Sequence, residues 1–336
     1  MIAALPSPPF DAFHVGPLTV HMYGLCYIVA IAAAIRLTTA RWGDRDLVLD
    51  VAIWGVPGGL IGARLYSVMT SWSDVVPPHW WGPFAIWEGG LSIWGGIAGG
   101  AAVGLWRLHR ADADITRFMD AVAPGLLVAQ AIGRIGNYFN QELFGGPTDL
   151  PWGLEIAPQH RPAGYEQFTT FHPTFLYEML FNLTLAAGLI LLGRTGRIRA
   201  PGLFALYVTG YSGFRIVEEL LRVDPSQHVF GLRLNFFVAL LLAVAGLVWF
   251  VVIQGWRPVR FSIILLALAS TTVAFSACGS GGPTQAAAPQ PLAPPTAESV
   301  HTLDLADAHV GTPLAPVIAR LGRIRVLDEA GSHRTS

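Results

Sequence analysis

Apolar residues form seven long stretches along the chain, each close to the roughly 20 residues that a membrane-spanning helix needs. The stretches cover residues 17–37, 47–69, 89–107, 118–135, 174–193, 201–221 and 235–254. A shorter apolar run follows at 261–277. The pattern predicts an all-α polytopic membrane protein with seven transmembrane helices, an eighth short apolar helix and a flexible tail.

The composition agrees with this interpretation. The 336 residues are 53% hydrophobic and 13% charged, with a mean hydropathy of +0.49, which is typical of multi-span membrane proteins rather than soluble domains. The net charge of −1 gives no indication of a nucleic-acid partner. Cys26 and Cys278 lie in different predicted segments, so we do not expect a disulfide framework.

The connections between the predicted helices alternate in charge. The chain contains no lysine, and arginines follow the first, third, fifth and seventh helices: Arg36, Arg41 and Arg45; Arg107, Arg110 and Arg117; Arg194, Arg197 and Arg199; Arg257 and Arg260. By the positive-inside rule these connections are cytoplasmic, so the N-terminus is expected outside.

Small residues recur at close-packing spacing in the second and third predicted helices. Gly58 and Gly62 are four positions apart, as are Gly95 and Gly99. This spacing allows two backbones to approach closely within a bilayer. We therefore expect these two helices to pack against one another.

The end of the fourth predicted helix carries the densest group of polar side chains in the chain. Residues 133–146 read Gly-Arg-Ile-Gly-Asn-Tyr-Phe-Asn-Gln-Glu-Leu-Phe-Gly-Gly. Polar groups that enter a membrane are costly, so they usually have a function. Arg134 is therefore expected to point into or just above the helical bundle.

A polar stripe runs down the sixth predicted helix and must face the protein interior. Its members, at positions i, i+4, i+8 and i+11, are Tyr211, Arg215, Glu219 and Arg222. An ion pair of Arg215 with Glu219 that only locks the helices together explains the stripe equally well. However, Arg134 adds a second guanidinium, and too few acids appear nearby to neutralise both, which predicts a site for an anion such as lipid phosphate. Arg64 in the second helix is either another phosphate ligand or the partner of an acid elsewhere.

These motifs together resemble the prolipoprotein diacylglyceryl transferases, which are bacterial inner-membrane enzymes. The resemblance covers about residues 10–256, taken as one membrane domain at 1–256, and its most specific part is the segment 133–146. Supporting matches are Gly16-Pro17, His21-Met22-Tyr23-Gly24-Leu25, Trp87-Glu88-Gly89-Gly90, His172-Pro173, Leu176-Tyr177-Glu178, and Tyr211 to Arg222. The resemblance implies transfer of the diacylglyceryl group of phosphatidylglycerol to the lipobox cysteine of a prolipoprotein signal peptide, with release of glycerol phosphate.

The resemblance also implies roles for individual residues. Arg134 and Arg215 would stabilise the departing phosphate, with Asn137 and Asn140 donating hydrogen bonds to headgroup oxygens. Tyr23 would contact the headgroup.

Further residues complete the implied site. Glu142 and Glu219 would orient the two arginines. Four others would contact substrate: Gly145, His172, Tyr177 and Arg222. The sequence shows no metal or nucleotide motif, and the reaction needs no cofactor.

One position departs from the resemblance. Many members carry a histidine before the Gly-Gly of the third helix, where this chain has Trp94. A thiol is only slightly ionised at neutral pH, so a base or a positive field must assist it. We expect that field, or His21, His172 or Glu142, to support thiolate formation.

The segment 257–278 resembles a lipoprotein signal peptide. Arg257 and Arg260 precede an apolar run, and Ser276-Ala277-Cys278-Gly279 follows it, although Phe275 stands where a lipobox usually has leucine. Three interpretations stay open: an eighth span, a lipoprotein reading frame joined to the enzyme, and lipidation of Cys278 by the chain itself. Residues 279–336 are interpreted as a tether rich in Pro, Ala and Gly, followed by a short tail.

Two other functions are compatible with the sequence. A lipid or anion transporter would also place arginines inside a helical bundle, although no internal repeat is visible. An inactive scaffold of the same fold would explain Trp94. In each case we expect a multi-pass, monomeric protein of the bacterial plasma membrane.

Overall fold

A computed structural model describes residues 4–16, 18–72, 81–86, 89–224 and 226–255. The run at 261–277, Cys278 and the tail to residue 336 lie outside the described residues. Seven α-helices occur within the described ranges: α1 Met22–Trp42, α2 Arg45–Thr70, α3 Ile93–Arg110, α4 Ile115–Asn140, α5 Thr174–Arg194, α6 Gly202–Leu221 and α7 Leu234–Gln254. Five of them, α1, α2, α4, α5 and α7, are long and apolar enough to cross a membrane.

The remaining two helices are less apolar for different reasons. Helix α3 contains many glycines and ends in Arg107, His109 and Arg110. Helix α6 carries Arg215 and two glutamates close to its C-terminal end. Both helices nevertheless pack inside the same bundle, α3 against α2 and α6 against α5 and α7.

Neighbouring helices run antiparallel. Gly62 of α2 faces Gly95 of α3, and Gly58 faces Gly99. A Cβ added to Gly62 would lie 2.9 Å from the Cα of Gly99, so a larger residue would force the helices apart. The predicted close packing of these helices is thus confirmed. The starts of α1, α3, α5 and α7 and the ends of α2, α4 and α6 therefore meet at one end of the bundle, which we call the site end.

Two groups of buried apolar side chains hold the helices that carry the site, the first toward the end opposite the site end and the second at the site end. The larger group lies among α4, α5, α6 and α7: Ala123, Leu127, Ala186, Leu189, Leu203, Ala205, Leu206 and Phe250. The second anchors the long connection between α4 and α5: Phe144, Leu154, Ile156 and Phe171. This connection is therefore fixed to the helices by its own small core.

Three short antiparallel ribbons lie in connections at the site end. Strand β1 Ala12–Val15 pairs with β2 Leu18–His21, β3 Leu154–Glu155 with β4 Thr170–Phe171, and β5 His228–Val229 with β6 Leu232–Arg233. The prediction of an all-α fold therefore omitted these three short ribbons. Strands of two to four residues leave no recognisable alternation in the sequence, yet they pair backbone groups beside the helix ends.

Two helix boundaries differ from the apolar windows. Helix α1 begins at Met22 rather than at residue 17, because β2 occupies Leu18–His21. Helix α4 continues to Asn140 rather than ending at 135, so Arg134 and Asn137 lie inside the helix. A hydropathy window ends where polar side chains begin, whereas the helix continues because neighbouring helices bind those side chains.

Candidate functional site

Charged side chains from three helices and the segment before α7 meet at the site end. We call this group the ion cluster: Arg134 of α4, Glu178 of α5, Arg215, Glu218 and Glu219 of α6, and Arg222, Asp224 and Arg233. The predicted stripe on α6 thus faces the interior, as expected. Several charged side chains buried in a helical bundle would destabilise the fold unless each contacts a group of opposite charge.

Glu178 joins the two arginines that the sequence singled out. Its Oε2 lies 2.5 Å from Nη2 of Arg134 and 3.5 Å from Nη1 of Arg215. The Glu178 side chain is fully buried, whereas Arg134 and Arg215 keep 16% and 15% of theirs exposed. Both arginine side chains therefore keep some accessible surface.

Arg215 binds two more carboxylates from its own helix. Its Nη1 lies 2.5 Å from Oε2 of Glu218, and its Nη2 pairs with Glu219. Glu219 also contacts Arg222 at 3.4 Å and Arg233 at 2.7 Å. Glu219 therefore contacts three arginines and connects Arg215 to the segment before α7.

Asp224 closes the cluster on the side of that segment. It accepts hydrogen bonds from Arg222 at 2.7 Å and from Nη2 of Arg233 at 2.9 Å. Burial alone would raise the pKa of Asp224, but these hydrogen bonds hold that pKa below its usual range. Asp224 therefore stays ionised at neutral pH.

The formal charges of the ion cluster cancel. The four arginines are matched by Glu178, Glu218, Glu219 and Asp224. The expectation of too few acids to neutralise Arg134 and Arg215 was therefore wrong. Glu178 arrives from a helix far away in sequence, and Glu218 lies three positions after Arg215, on the same face of α6.

Asn137 connects Arg134 to Glu142. Nη1 of Arg134 donates to Oδ1 of Asn137 at 3.2 Å, and Nδ2 of Asn137 donates to Oε1 of Glu142 at 2.8 Å. Nδ2 of Asn140 donates to the same Glu142 oxygen at 3.3 Å. Glu142 is itself exposed, and Asn137 links it to Arg134 by hydrogen bonds.

Tyr23 lies beside the same segment of α4. A Cβ on Gly136 would come within 2.7 Å of Cε2 of Tyr23, so the ring packs where only glycine leaves room. The Tyr23 hydroxyl lies 3.3 Å from that of Tyr27. Tyr23 is thus held next to Arg134 and Asn137.

Two other predicted positions lie apart from the cluster. His21 ends β2, opposite Ala12, and its side chain is exposed. Trp94 lies in the first turn of α3 and is 45% exposed. Among the described residues, neither side chain contacts the ion cluster.

His172 and Tyr177 form a separate polar group. Nδ1 of His172 lies 3.2 Å from the Tyr177 hydroxyl, which accepts a hydrogen bond from Nε1 of Trp152 at 3.1 Å. Burial lowers the pKa of His172, so the imidazole is neutral at pH 7. The backbone N–H of Gly145 donates to the His172 carbonyl at 2.9 Å, and a Cβ on Gly145 would lie 2.8 Å from that of His172. Gly145 therefore lets the connection pass close to the start of α5.

Comparisons with known proteins agree with this geometry. A family model described as prolipoprotein diacylglyceryl transferase matches residues 11–252. The chain is 43% identical to a phosphatidylglycerol–prolipoprotein diacylglyceryl transferase of Mycobacteroides abscessus, over 74% of this chain and 78% of that one. It is 45% identical to the protein of that name from Cutibacterium acnes, over 75% and 87% respectively. A Streptomyces coelicolor protein, numbered 2 under the same name, is 44% identical over 76% and 83%.

The chain belongs to the prolipoprotein diacylglyceryl transferase family. The resemblance seen in the sequence is thereby confirmed. Family membership and the five apolar helices identify a multi-pass protein of the bacterial inner membrane. The region that the family model matches contains the whole ion cluster and ends before the run at 261–277.

Four members of the ion cluster were assigned no role in the site from the sequence: Glu178, Glu218, Asp224 and Arg233. An acid near the start of an apolar helix is itself a signal of function, and Glu178 is one. Glu218 lies three positions after Arg215, so a pattern of residues spaced four apart does not include it, although side chains three apart also lie on the same helix face. Asp224 and Arg233 lie in a connection, where sequence alone does not indicate partners.

Arg64 contacts backbone carbonyls that the sequence analysis did not name. It is 5% exposed, and its guanidinium donates to the carbonyl oxygens of Gly82 at 2.6 Å, Pro83 at 3.0 Å, Gly89 at 2.7 Å and Gly90 at 3.3 Å. These carbonyls belong to the connection between α2 and α3. Arg64 therefore fixes this connection to the site end of α2.

Proposed function

We propose that the chain transfers the diacylglyceryl group of phosphatidylglycerol to the cysteine thiol of a prolipoprotein and releases glycerol phosphate. Membership of the family supports this reaction, because its relatives bear the name of that activity. The observation that carries the chemistry is the pair Arg134 and Arg215, bridged by Glu178 and partly exposed at the site end.

The reaction is a displacement at carbon. A thiolate attacks the glyceryl carbon next to the phosphodiester, a C–S bond forms, and the C–O bond to phosphate breaks. The leaving phosphate changes from one negative charge to two. Guanidinium groups at that phosphate stabilise the transition state more than the ground state, which is how they accelerate the step.

The other site residues hold the arginines or the lipid. Asn137 and Glu219 position Arg134 and Arg215 respectively, each by direct contact. Glu142 acts through Asn137, and Asn140 and Tyr23 face the lipid headgroup in this proposal. The remaining contacts to substrate are assigned to Gly145, His172, Tyr177 and Arg222. In this proposal Arg222 contacts the substrate while its guanidinium remains paired with Asp224.

The proposed arrangement in the membrane has seven spans and an outward N-terminus. The arginine-rich connections after α1, α3 and α5 lie at the end of the bundle opposite the site end, which supports a cytoplasmic location for them. The site end then faces outward, where secreted precursors arrive. Because one chain supplies every member of the ion cluster, we propose that the enzyme works as a monomer, without nucleic acid.

A reconstituted assay tests the reaction. In vesicles of phosphatidylglycerol, the purified protein should release glycerol phosphate when a lipobox peptide is added and should attach the lipid to that peptide. A transporter would move lipid without either product. Complementation of a strain depleted of its own transferase, by the full chain and by a version ending at Trp256, gives a second readout. Failure of both readouts in well-folded protein would contradict the proposal.

The proposed activity has a candidate substrate within the chain, Cys278. Helix α7 ends at Gln254, whose side chain pairs with backbone groups of Arg199 at the end opposite the site end. Arg257 and Arg260 then precede an apolar run with the length of a signal peptide. This order supports a chain that crosses the membrane once more and carries Cys278 to the side of the ion cluster.

We expect the C-terminal fragment from membranes containing phosphatidylglycerol to gain the mass of a diacylglyceryl group. Cys278→Ser is the matched control and should not gain it. An unmodified thiol at Cys278 in cells whose enzyme modifies other lipoproteins would leave an eighth span or a joined reading frame as the explanation of this segment.

A further inference from the structure

Oε1 of Glu218, within the ion cluster, has no hydrogen-bond donor among the described residues. Glu218 is 2% exposed, and its Oε2 is bound to Arg215 at 2.5 Å. Its Oε1 is fully buried and accepts no hydrogen bond from any residue that the structure describes. Buried polar oxygens are normally satisfied, so an exception within a reaction site calls for a functional explanation.

Glu218 lies beside a second buried carboxylate. Oε2 of Glu178 and Oε2 of Glu218 are 3.5 Å and 2.5 Å from the same nitrogen, Nη1 of Arg215. Glu178 also binds Arg134, whereas Glu218 has no second arginine among the described ion pairs. Glu218 is therefore the less compensated of the two, and a proton on it would remove one charge from this crowded pair.

We propose that Glu218 is the catalytic residue that accepts the proton of the incoming thiol. This role rests on the proposed function. The S–H proton passes to the Glu218 carboxylate, the thiolate forms a C–S bond with the glyceryl carbon, and the C–O bond breaks with its electron pair leaving on the phosphate. The products are a thioether, protonated Glu218 and glycerol phosphate, which carries the second negative charge.

The net charge of the ion cluster explains why a proton on Glu218 would assist departure of the phosphate. With all groups ionised, four arginines face four acids and the formal charge is zero. Protonation of Glu218 raises it to +1 in the same step that raises the phosphate from one negative charge to two. The positive field thus appears when the leaving group needs it, which is the condition for transition-state stabilisation.

The groups considered from the sequence are placed less well for this task. His21 is exposed on a ribbon and has no contact with the cluster among the described residues. His172 contacts the Tyr177 hydroxyl, and no described ion pair includes His172. Glu142 accepts hydrogen bonds from Asn137 and Asn140 and is exposed.

Glu218→Gln, assayed with two peptides, tests the proposal. With a cysteine lipobox peptide the variant should lose about 10²–10⁴-fold in rate, the usual size of a general-base effect. A selenocysteine peptide of the same sequence brings a nucleophile that is already ionised at neutral pH and needs no base. The variant should therefore modify the selenocysteine peptide at nearly the wild-type rate.

Controls separate this role from a structural one. Glu155→Gln, the same change at an exposed position, should leave both rates unchanged, and Glu218→Asp should retain part of the cysteine rate. Equal losses of the variant on both peptides, or no loss on either, would overturn the role of Glu218. If the wild-type enzyme transfers lipid to neither peptide, the proposed function itself fails, so the two failures are distinguishable.

Discussion

Arg134→Ala is expected to lower the rate of diacylglyceryl transfer by at least about 10²–10³-fold, the loss seen when one donor to a developing anion is removed. Arg134 is bridged to Arg215 through Glu178 and is held by Asn137. Its guanidinium is thus fixed before the lipid arrives and does not have to reorganise during the reaction. The measurement is peptide-dependent release of glycerol phosphate in vesicles.

Two further variants make the result interpretable. Arg134→Lys keeps the charge but loses the planar fork that contacts Glu178 and Asn137 together, so it should recover only a small part of the rate. Arg197→Ala, at an exposed position in the connection between α5 and α6, should behave as wild type. A well-folded Arg134→Ala protein with more than about a tenth of the wild-type rate would contradict the assigned role.

Much of the fold could be predicted because a membrane constrains sequence strongly. The backbone must satisfy its own hydrogen bonds in lipid, so apolar stretches become helices, and all seven windows correspond to helices. Close packing of α2 on α3 followed from glycine spacing, and the inward face of α6 followed from the i, i+4 repeat of Arg215 and Glu219. These features depend on neighbouring residues or on regular spacing, and both can be read from a single sequence.

The electrostatics of the site could not be predicted in the same way. Whether Arg134 is neutralised depends on Glu178, and nothing in the sequence states that the start of α5 lies against α4. Gly145 and the ribbons illustrate the same limit, because their backbone contacts join segments far apart in the chain. Neutrality of the ion cluster is thus a property of the assembled bundle.

That neutrality has a physical reason. Unpaired guanidinium groups inside a membrane protein are costly, so arginines without partners at this site would destabilise the fold. Pairing with Glu178, Glu218, Glu219 and Asp224 offsets this cost. The ion cluster can therefore keep four arginines close together with a formal charge of zero.

Glu178→Gln is expected to destabilise the protein by about 3–5 kcal/mol, because it removes the fully buried partner of an ion pair. Arg134 would lose its contact at 2.5 Å and Arg215 its contact at 3.5 Å, while both guanidinium groups stay in the bundle. A lower midpoint temperature of unfolding in detergent, with a loss of transfer activity, is the expected result. Glu155→Gln, an exposed counterpart, should show neither effect.

The double variant Arg134→Gln/Glu178→Gln separates stability from catalysis. Removal of both charges leaves no unpaired ion between α4 and α5, so the double variant should be more stable than the sum of the single effects predicts, by about 1–3 kcal/mol. Its transfer activity should stay as low as that of Arg134→Gln, because the phosphate has still lost its guanidinium. Recovery of activity together with stability would mean that the pair serves only to hold the helices together. Strict additivity of the two stability losses would mean that the pair is not coupled as the structure indicates.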